Sequence, residues 1–298
     1  MKKNYVKQQH YIPQFALKNF RNKNNKIPFV NIKKKPLKLL CTSSIKLMQE
    51  RDFYEIKDLD GDYVLRNSIE EVYSSLESEI SPKFRKFLTV ISNNNFRKNF
   101  IEIVNNNEWA DIETSLLLYL VLILIRGKEV KNITYSNTKL SSNEQHILHL
   151  LMTTSQFQTI EFAKKLYSGQ ELENILYFIK NETNQGILYK LTSHIMENYQ
   201  IRICKTVGKK KLFLSDNPVI IQKFEGEDYI LPISPNICII LIPINIKDDV
   251  IKIDTHIYSL HDNHVDKINE QSVLNTDSLI IISEERDLEF IKNIKFSD

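Results

Sequence analysis

The clearest hydrophobic pattern in the chain predicts an amphipathic helix over residues 66–92. Its apolar side chains recur three and four positions apart, which places them along one helical face. They are Ile69, Val72, Tyr73, Leu76 and Ile80. Asn67 or Ser68 is expected to cap the helix, and an early Glu70 suits the positive end of its dipole. Because Pro82 lacks a backbone N–H, we expect it to interrupt the helix and FRKFL to begin a second piece.

A longer helical region is predicted over residues 108–200. The stretch 109–126 carries apolar residues on every face, which indicates a helix at the centre of a core. Further helices are expected over 141–167 and 171–199, interrupted by SGQ and NQG.

From residue 200 onward the pattern changes to short runs of β-branched and apolar residues, bounded by Pro, Asn and Gly. Successive strands are predicted at QIRICKT, LFLS, DNPVIIQKF, DYILPIS, NICIILIPI and DVIKIDTHIYSL. A short helix over 265–274, a strand at SLIIIS and a terminal helix from Glu284 follow. Near the N-terminus, IPFVNIKKK and LKLLCTS predict one or two short strands.

Helices gathered in the middle and strands gathered later are typical of an α+β fold rather than of alternating βαβ units. We predict short N-terminal strands, a central helical bundle and a mostly antiparallel C-terminal sheet packed on the helices. The chain of 298 residues is predicted to form one compact domain over 1–298. Its segments are a β-containing part (1–65), a helical part (66–199) and a β-rich part (200–298).

Composition narrows the class of protein. A formal charge of +3, from 40 basic and 37 acidic residues, is far from the balance of a dedicated DNA-coating protein. Three widely spaced cysteines (Cys41, Cys204 and Cys238) form neither a disulfide framework nor a paired metal motif. The polar N-terminus lacks a signal peptide, and the apolar run 116–125 falls short of the ~20 residues that span a bilayer. We therefore predict a cytoplasmic protein without a membrane partner.

Familiar catalytic signatures are missing from the sequence. It has no P-loop, GxGxxG, GxSxG, HExxH or paired CxxC motif. These absences remove the commonest nucleotide-binding and hydrolase signatures, but they leave enzymes whose active sites are built from dispersed residues.

Two groups of histidines deserve comparison with metal sites. His146 and His149 lie three apart on a predicted helix and can share a metal, although ordinary helix-face histidines are the simpler interpretation. A second group is rich in histidine and aspartate and is either a cation site or a polar loop. It comprises Asp254, His256, His261, Asp262, His264 and Asp266.

Glu70 and Glu77 are separated by seven residues, nearly two helical turns. Both therefore lie on one helical face, about 10.5 Å apart along the axis. Such carboxylates can bind a divalent ion or act as general acid and base, or they can be solvated charges at a boundary.

Three further positions carry candidate chemistry. The segment SDNPV at 215–219 is either a turn between strands or an Asp216–Asn217 pair presented rigidly at a sheet edge. His10, in QHYIPQ, titrates near neutral pH. Arg126 ends the apolar helix, where the dipole favours a cation, and it can hold phosphate or carboxylate through two hydrogen bonds.

Several of these segments occur in the order of a known family. In chain order they are QHYIPQFALKNF, IEEVYSSLE, the arginine after the apolar helix, FLSDNPV, LPISPN and VDKINEQSVLN. This series resembles the domain of unknown function 4238 family, which looks like HYVPQFYLRNF near its N-terminus and FITSDNPV followed by PLSP later. The resemblance covers about residues 7–283, and HYIPQ followed by SDNPV is its specific part.

The resemblance implies mostly bacterial proteins, some of which resemble single-gene anti-phage defence systems. The characteristic polar positions of the family fall on His10, Gln14, Glu70, Glu77, Arg126, Asp216, Asn217 and Asn269. After the helix arginine the family often has R-T/S-P with a further arginine. Here the sequence is Arg126–Gly127–Lys128, so Lys128 stands as the substitute cation.

Two functions follow from this residue set. The first is an anti-phage defence effector that acts as a hydrolase or nuclease on phosphodiester or nucleotide substrates, with a divalent cation such as Mg²⁺ or Mn²⁺. Its catalytic residues would be His10, Glu70, Glu77 and Asp216. Its substrate-binding residues would be Gln14, Arg126, Asn217 and Asn269.

The alternative is a non-catalytic sensor or protein-binding module, in which the same residues form a structural polar network. Its trigger would be a phage or host protein. Nucleic-acid binding without chemistry, through Lys33–Lys38 and Lys209–Lys211, is a third interpretation. The run Lys33–Lys35 is otherwise typical of a solvated edge or turn.

Overall fold

The computed structural model describes residues 5–135, 139–183, 186–224, 227–244 and 257–296. The chain divides into two compact units by its internal contacts. Unit 1 comprises residues 1–11, 49–84 and 114–195, and unit 2 comprises 12–48, 85–113 and 196–298. The single compact domain expected from the sequence stays a prediction.

Helices and short strands alternate irregularly along the described chain, with the helices concentrated in its middle. The helices are α1 (Gln14–Leu17), α2 (Ser68–Ser92), α3 (Phe96–Asn105), α4 (Trp109–Arg126), α5 (Lys128–Tyr135), α6 (Ser142–Thr153), α7 (Gln156–Leu166), α8 (Gly169–Asn181), α9 (Ile187–Asn198), α10 (Asp262–Asn275) and α11 (Asp287–Lys295). Two 3-10 helices span Lys18–Phe20 and Ser44–Lys46.

The strands before the helical region are β1 (Gln8–His10), β2 (Ile27–Asn31), β3 (Leu40–Thr42), β4 (Gln49–Arg51), β5 (Ile56–Lys57) and β6 (Tyr63–Val64). Those after it are β7 (Tyr199–Thr206), β8 (Leu214–Ser215), β9 (Ile220–Phe224), β10 (Glu227–Ser234), β11 (Ile237–Pro243), β12 (Ile257–Leu260) and β13 (Leu279–Ile281). The α+β fold expected from the sequence is therefore confirmed. Of the predicted strand DVIKIDTHIYSL, the first eight residues lie outside the described residues and the last four form β12.

Unit 1 is mainly helical. Its small sheets are the antiparallel pairs β1–β4 and β5–β6. In α4 the consecutive residues from Leu120 to Ile123 are all buried, so this helix is covered on every face. This burial confirms the central position that its apolar sequence predicts. Among the described residues, no helix is both long enough and apolar enough to cross a membrane.

Helix α2 shows where the sequence interpretation was wrong. The helix continues through Pro82 as one piece from Ser68 to Ser92. An interior proline costs about 3 kcal/mol because it removes one backbone hydrogen bond. The side chains on either side of it, Ile80, Phe84 and Phe87, are almost completely buried. Burying such side chains stabilises a helix by about 1.5–3 kcal/mol each, which offsets the loss.

The region 141–167, expected to be one helix, consists of α6 and α7. Thr154 and Ser155 are extended and separate the two helices. Ser155 caps α7, because its Oγ accepts a hydrogen bond from the N–H of Gln158 and the Gln158 side chain accepts from the Ser155 N–H. Ser141 and Glu144 form the same capping box at the start of α6.

Unit 2 contains two larger sheets. The first has the strand order β12-β7-β11-β10-β9 and is antiparallel except for the β12–β7 pair. The second has the order β3-β2-β13-β8 and is antiparallel throughout. Strands from the two ends of the chain therefore pair directly in this sheet, with Asn31 of β2 opposite Leu279 of β13.

Each sheet of unit 2 packs on a terminal helix. Val265 and Ile268 of α10 pack with strand residues of the five-stranded sheet in one apolar cluster. Ile291 of α11 packs with Val30 and Ile280 of the four-stranded sheet in another. These contacts hold the segment 211–214, which precedes the predicted Asp216–Asn217–Pro218 corner, next to α10.

Candidate functional site

The eight residues expected to form one site are divided between the two units. Unit 1 contains His10, Glu70, Glu77 and Arg126, and unit 2 contains Gln14, Asp216, Asn217 and Asn269. The structure brings the four members in unit 1 into a network around Arg126. That all eight share one hollow stays a prediction.

Arg126, the last residue of α4, is the centre of the network in unit 1. Its side chain is fully buried. Its Nη1 donates to Glu77 Oε1 at 2.5 Å and its Nε donates to Tyr54 Oη at 3.1 Å. Its Nη2 donates to the backbone carbonyl of His10. All three guanidinium nitrogens are thus hydrogen-bonded, as a buried charge requires.

Two aromatic rings lie against the guanidinium. Its central carbon is 4.6 Å from the centroid of the Tyr73 ring and 5.8 Å from that of Tyr54. The electron-rich faces of these rings attract a cation within about 6 Å. The rings also enclose Arg126, because the Tyr54 and Tyr73 centroids are only 4.9 Å apart.

Glu70 lies on the same face of α2 as Tyr73 and Glu77, three and seven residues before them. It is half-buried, and its Oε2 is buried without a hydrogen-bond partner among the described residues. Burial raises the pKa of Glu70 to about 7, with smaller contributions from the Glu77 and Glu55 carboxylates and an opposing one from Arg126. At neutral pH this carboxyl group is present in both protonation states.

The segment after β4 fixes the position of His10 through its neighbour Gln9. Gln9 is completely buried, and its side chain donates to Glu55 Oε1 at 2.6 Å and accepts from the N–H of Tyr54 at 2.7 Å. Glu55 also accepts from the N–H of Asn67, just before α2. Two backbone carbonyls, those of His10 and Arg126, lie 3.3 Å from Tyr54 Oη. The backbone carbonyl of His10 therefore accepts hydrogen bonds from both Arg126 and Tyr54.

His146 and His149 are buried on α6 and bind α2 rather than each other. His146 Nε2 lies 2.6 Å from Ser68 Oγ, and His149 Nε2 lies 2.7 Å from Tyr73 Oη. Burial lowers the pKa of His146 to about 4 and that of His149 to about 3. The pKa of His149 is lowered further by the nearby His146, Arg126 and Lys131. Both imidazoles are therefore neutral at pH 7, and they join two helices.

In unit 2 the Asp216 carboxylate organises the backbone. Its oxygens accept hydrogen bonds from the N–H groups of Asp277, Ser278 and Leu279 at 2.9–3.0 Å. A fourth comes from the Ser278 hydroxyl at 2.7 Å. The side chain is 4% exposed, and it ties the turn after β8 to the start of β13. These bonds occupy most of the carboxylate's capacity as an acceptor.

Asn269, on α10, plays a similar part. Its Oδ1 accepts from the N–H of Phe213 at 2.9 Å, and its Nδ2 donates to the carbonyl of Lys211 at 2.8 Å. The side chains of Asn217 and Gln14 differ, since neither makes a hydrogen bond to another described residue. They are the members of the unit 2 set whose polar groups the fold does not use.

The described residues contain no group of three or more His, Cys, Asp or Glu side chains placed to hold a metal ion. Glu77, one of the expected ligands, already contacts Arg126. Of the histidine–aspartate group, Asp254 and His256 lie outside the described residues, and His261 forms the N-terminal boundary of α10. The divalent cation expected from the sequence stays a prediction.

The fold and the network define an α+β protein whose helical unit is organised around a buried, ion-paired arginine. The profile of the family of proteins of unknown function DUF4238 matches residues 8–286 of the 298-residue chain. The chain belongs to this family, as its motifs indicate. Comparison with curated proteins and with solved structures gives no match.

Sequence reasoning missed several members of the network. Tyr54 and Glu55 follow β4 in a turn, where neither period nor motif singles them out. Gln9 begins the QHYIPQ motif, but it was not chosen as a site residue. Tyr73 was assigned to the apolar stripe of α2, which is correct for its ring, but its hydroxyl binds His149. A buried tyrosine beside a buried histidine is a pairing that only the tertiary structure reveals.

Proposed function

We propose that the chain is a hydrolase in which Glu70 is the general acid–base group, acting on phosphodiester or nucleotide substrates. The observation that carries the proposal is the Glu70 carboxyl group: its Oε2 is buried with no partner in the described ranges of the chain, and its pKa is raised to about 7. A general acid or base works best when its pKa is near the working pH. Carboxyl groups with such values are concentrated in functional sites.

The chemistry assigned to Glu70 is a proton transfer in each direction. As the acid, its carboxyl group protonates the oxygen of the leaving group; as the base, its carboxylate takes a proton from the attacking water. Half-burial suits both roles, because water reaches the group while the apolar surroundings keep its neutral form populated.

Arg126 and Glu77 act as positioning residues in this proposal. Arg126 is fully enclosed, so its charge acts on substrate only through Glu70, whose pKa it lowers. Phosphate-type substrates and an anti-phage setting remain the expectation from the family resemblance.

The first test is turnover by purified protein supplied with DNA, RNA, tRNA and nucleotides, with Mg²⁺ or Mn²⁺ added. Glu70→Gln is expected to reduce turnover by at least a hundredfold, because general acid–base groups contribute about 10²–10⁴-fold. Its melting temperature should stay at or above that of the wild type, since the amide removes a buried, unpaired carboxylate. Absence of turnover on every substrate would refute the proposal.

Glu71→Gln is the matched control. Glu71 is the next residue of α2 and is exposed, so the substitution has the same chemistry outside the network. It should leave turnover within twofold of wild type. Equal losses in the two variants would show that Glu70 has no special role.

A second function, a non-catalytic binding module, is favoured by a different observation. Arg126, Asp216 and Asn269 are all buried, and their polar groups are bonded to the fold itself. In such a module these residues serve stability alone. Alanine at each position would then lower the melting temperature by several degrees, and Glu70→Gln would change neither turnover nor partner binding.

A further inference from the structure

The basic residues of this chain are distributed very unevenly. Residues 1–49 contain 12 of its 40 lysines and arginines and none of its 37 acidic residues. The remaining 249 residues therefore carry 28 basic and 37 acidic side chains and are net negative. At the average acidic content, a stretch of 49 residues would contain about six carboxylates. A lysine-rich composition explains many lysines but not the complete lack of carboxylates.

The part of this segment that belongs to unit 2 carries its lysines at the surface. All eight are exposed, and they surround the hairpin of β2 and β3: Lys18, Lys23, Lys26, Lys33, Lys34, Lys35, Lys38 and Lys46. Four of them occupy the loop between β2 and β3, two occupy the turn before β2, and the other two lie in the 3-10 helices. We call this surface the hairpin surface.

Most of these charges are not neutralised by neighbours. Lys33 pairs with Asp277 at 2.7 Å, and the Lys35 ammonium lies 4.6 Å from the centroid of the Phe296 ring. The other six make no ion pair with any carboxylate that the structure describes. Like charges held together in this way repel one another, so an external anion stabilises the arrangement.

Protection of a sheet edge does not account for the surface. The edge strands of the four-stranded sheet are β3 (Leu40–Thr42) and β8 (Leu214–Ser215), and neither includes a lysine. Lysines that block edge-to-edge association lie on the edge strand itself. Here they lie in the loops and short helices on either side of it.

The spacing fits an extended polyanion. The five residues of β2 span about 17 Å, and the lysine groups lie at both of its ends. Duplex DNA presents one phosphate charge per ~1.7 Å of its axis, so the hairpin surface can meet several phosphates at once. An anionic membrane would instead favour apolar side chains at the loop tips. The tips here are polar, with Lys34 in one and Asn24 and Asn25 in the other, all exposed.

We propose that the hairpin surface binds the phosphate backbone of nucleic acid without regard to base sequence. The inference does not rest on the proposed hydrolysis, because the surface belongs to unit 2 and Glu70 to unit 1. Binding is measured in EDTA, which removes divalent cations and so keeps any metal-dependent turnover from altering the nucleic acid. A failure of binding and a failure of turnover are then separate results.

The experiment measures binding of fluorescent 30-mer DNA and RNA by anisotropy between 50 and 200 mM salt. For the wild type, affinity should fall steeply as salt rises, since each neutralised phosphate contributes about 0.9 to the slope of log K against log salt for duplex DNA. The triple variant Lys34→Glu/Lys35→Glu/Lys38→Glu should bind at least tenfold more weakly, with the slope reduced by about 2–3.

Lys165→Glu/Lys180→Glu/Lys190→Glu is the matched control, since it makes the same change of net charge at exposed positions in unit 1. It should weaken binding less than threefold. Three results would overturn the proposal: equal losses in both triple variants, no wild-type binding at 50 mM salt, or binding to phosphatidylserine vesicles but not to nucleic acid. Lys34→Gln/Lys35→Gln/Lys38→Gln repeats the test without adding repulsion, and circular dichroism checks the fold of each variant.

Discussion

Replacing Arg126 with methionine tests whether the buried network stabilises unit 1. Methionine fills a similar length without charge, and the change removes the donors to Glu77, Tyr54 and the His10 carbonyl. Removing one partner of a buried ion pair costs about 3–5 kcal/mol, because the other charge stays desolvated. The Glu77 side chain is 25% exposed and regains some hydration, which places the expected loss near the lower end, about 3 kcal/mol.

The assay is urea unfolding monitored by far-ultraviolet circular dichroism, a signal to which the helices contribute most. Trp109 is the only tryptophan, and it contacts Phe87 and Phe100 in unit 2, so its fluorescence reports a different part of the chain. The circular dichroism midpoint should fall by about 1–2 M urea, given about 3 kcal/mol and a slope of about 2 kcal/mol/M. A smaller shift of the fluorescence midpoint would localise the damage to unit 1.

Arg51→Met is the matched control for this prediction. Arg51 also pairs with a carboxylate, that of Asp52 at 3.4 Å, but its side chain is 70% exposed. An exposed pair contributes about 0–1 kcal/mol, so the midpoint should barely move. A double-mutant cycle with Glu77→Gln should give a coupling energy of at least 1 kcal/mol. The reasoning fails if Arg126→Met unfolds within error of wild type, or if the two substitutions are additive.

Two further predictions concern the dependence of stability on pH and the hydrogen bonds that the Asp216 carboxylate accepts. His146 and His149 have folded-state pKa values of about 4 and 3, below their ordinary value of 6.5, so stability is complete above pH 6.5 and is lost as the pH falls toward those values. At pH 5 the free energy of unfolding should have fallen by about 2 kcal/mol for each histidine. His149→Phe should flatten this decline, measured as urea midpoints at each pH. The control His194→Phe, at an exposed position, should not. Glu70 acts in the opposite direction because its pKa is raised. Its contribution to stability is complete below about pH 4.5 and is lost as the pH rises through 7. The histidine variants are therefore compared in a Glu70→Gln background. Asp216→Asn places an amide against three backbone N–H groups and should destabilise the chain by about 2–3 kcal/mol. Its control, Asn217→Ala, should cost less than about 0.5 kcal/mol in the same urea unfolding experiment.

The sequence predicted the parts of the fold that depend on local pattern. The stripe of α2 and the apolar α4 have strong helical periods, and the structure contains both. The helical period does not show where one helix ends and the next begins, and the capping residues do. Ser155 begins a new helix inside a stretch whose apolar pattern continues. The pairing of β2 with β13 has no local signal, because nearly 250 residues separate the two strands.

For the candidate site, residue types were predicted better than roles. The family motifs singled out Arg126, Asp216 and Asn269, and all three are buried in the structure. Their role depends on which atoms surround them, and the structure shows that backbone groups or buried side chains occupy their hydrogen-bonding capacity. His10 is the clearest case, since the network uses its carbonyl, an atom that every residue has. What selects histidine at this position is therefore a separate question from what binds Arg126.

Hydrogen-bond capacity gives a physical criterion for separating the two proposed functions. A residue retained for stability alone is expected to direct its polar atoms at the fold, as Asp216 and Asn269 do, because unpaired buried groups cost about 1–3 kcal/mol each. Glu70 departs from this rule, because its Oε2 is buried and has no hydrogen-bond partner in the part of the chain that the structure describes, a cost that an apolar residue would avoid. Arg126 donates to Glu77 rather than to this atom. Such a cost is understandable where the carboxyl group must exchange protons with a bound substrate. For this reason a substitution of Glu70 distinguishes a catalytic from a structural role, whereas substitutions of the more fully bonded Arg126 or Asp216 do not.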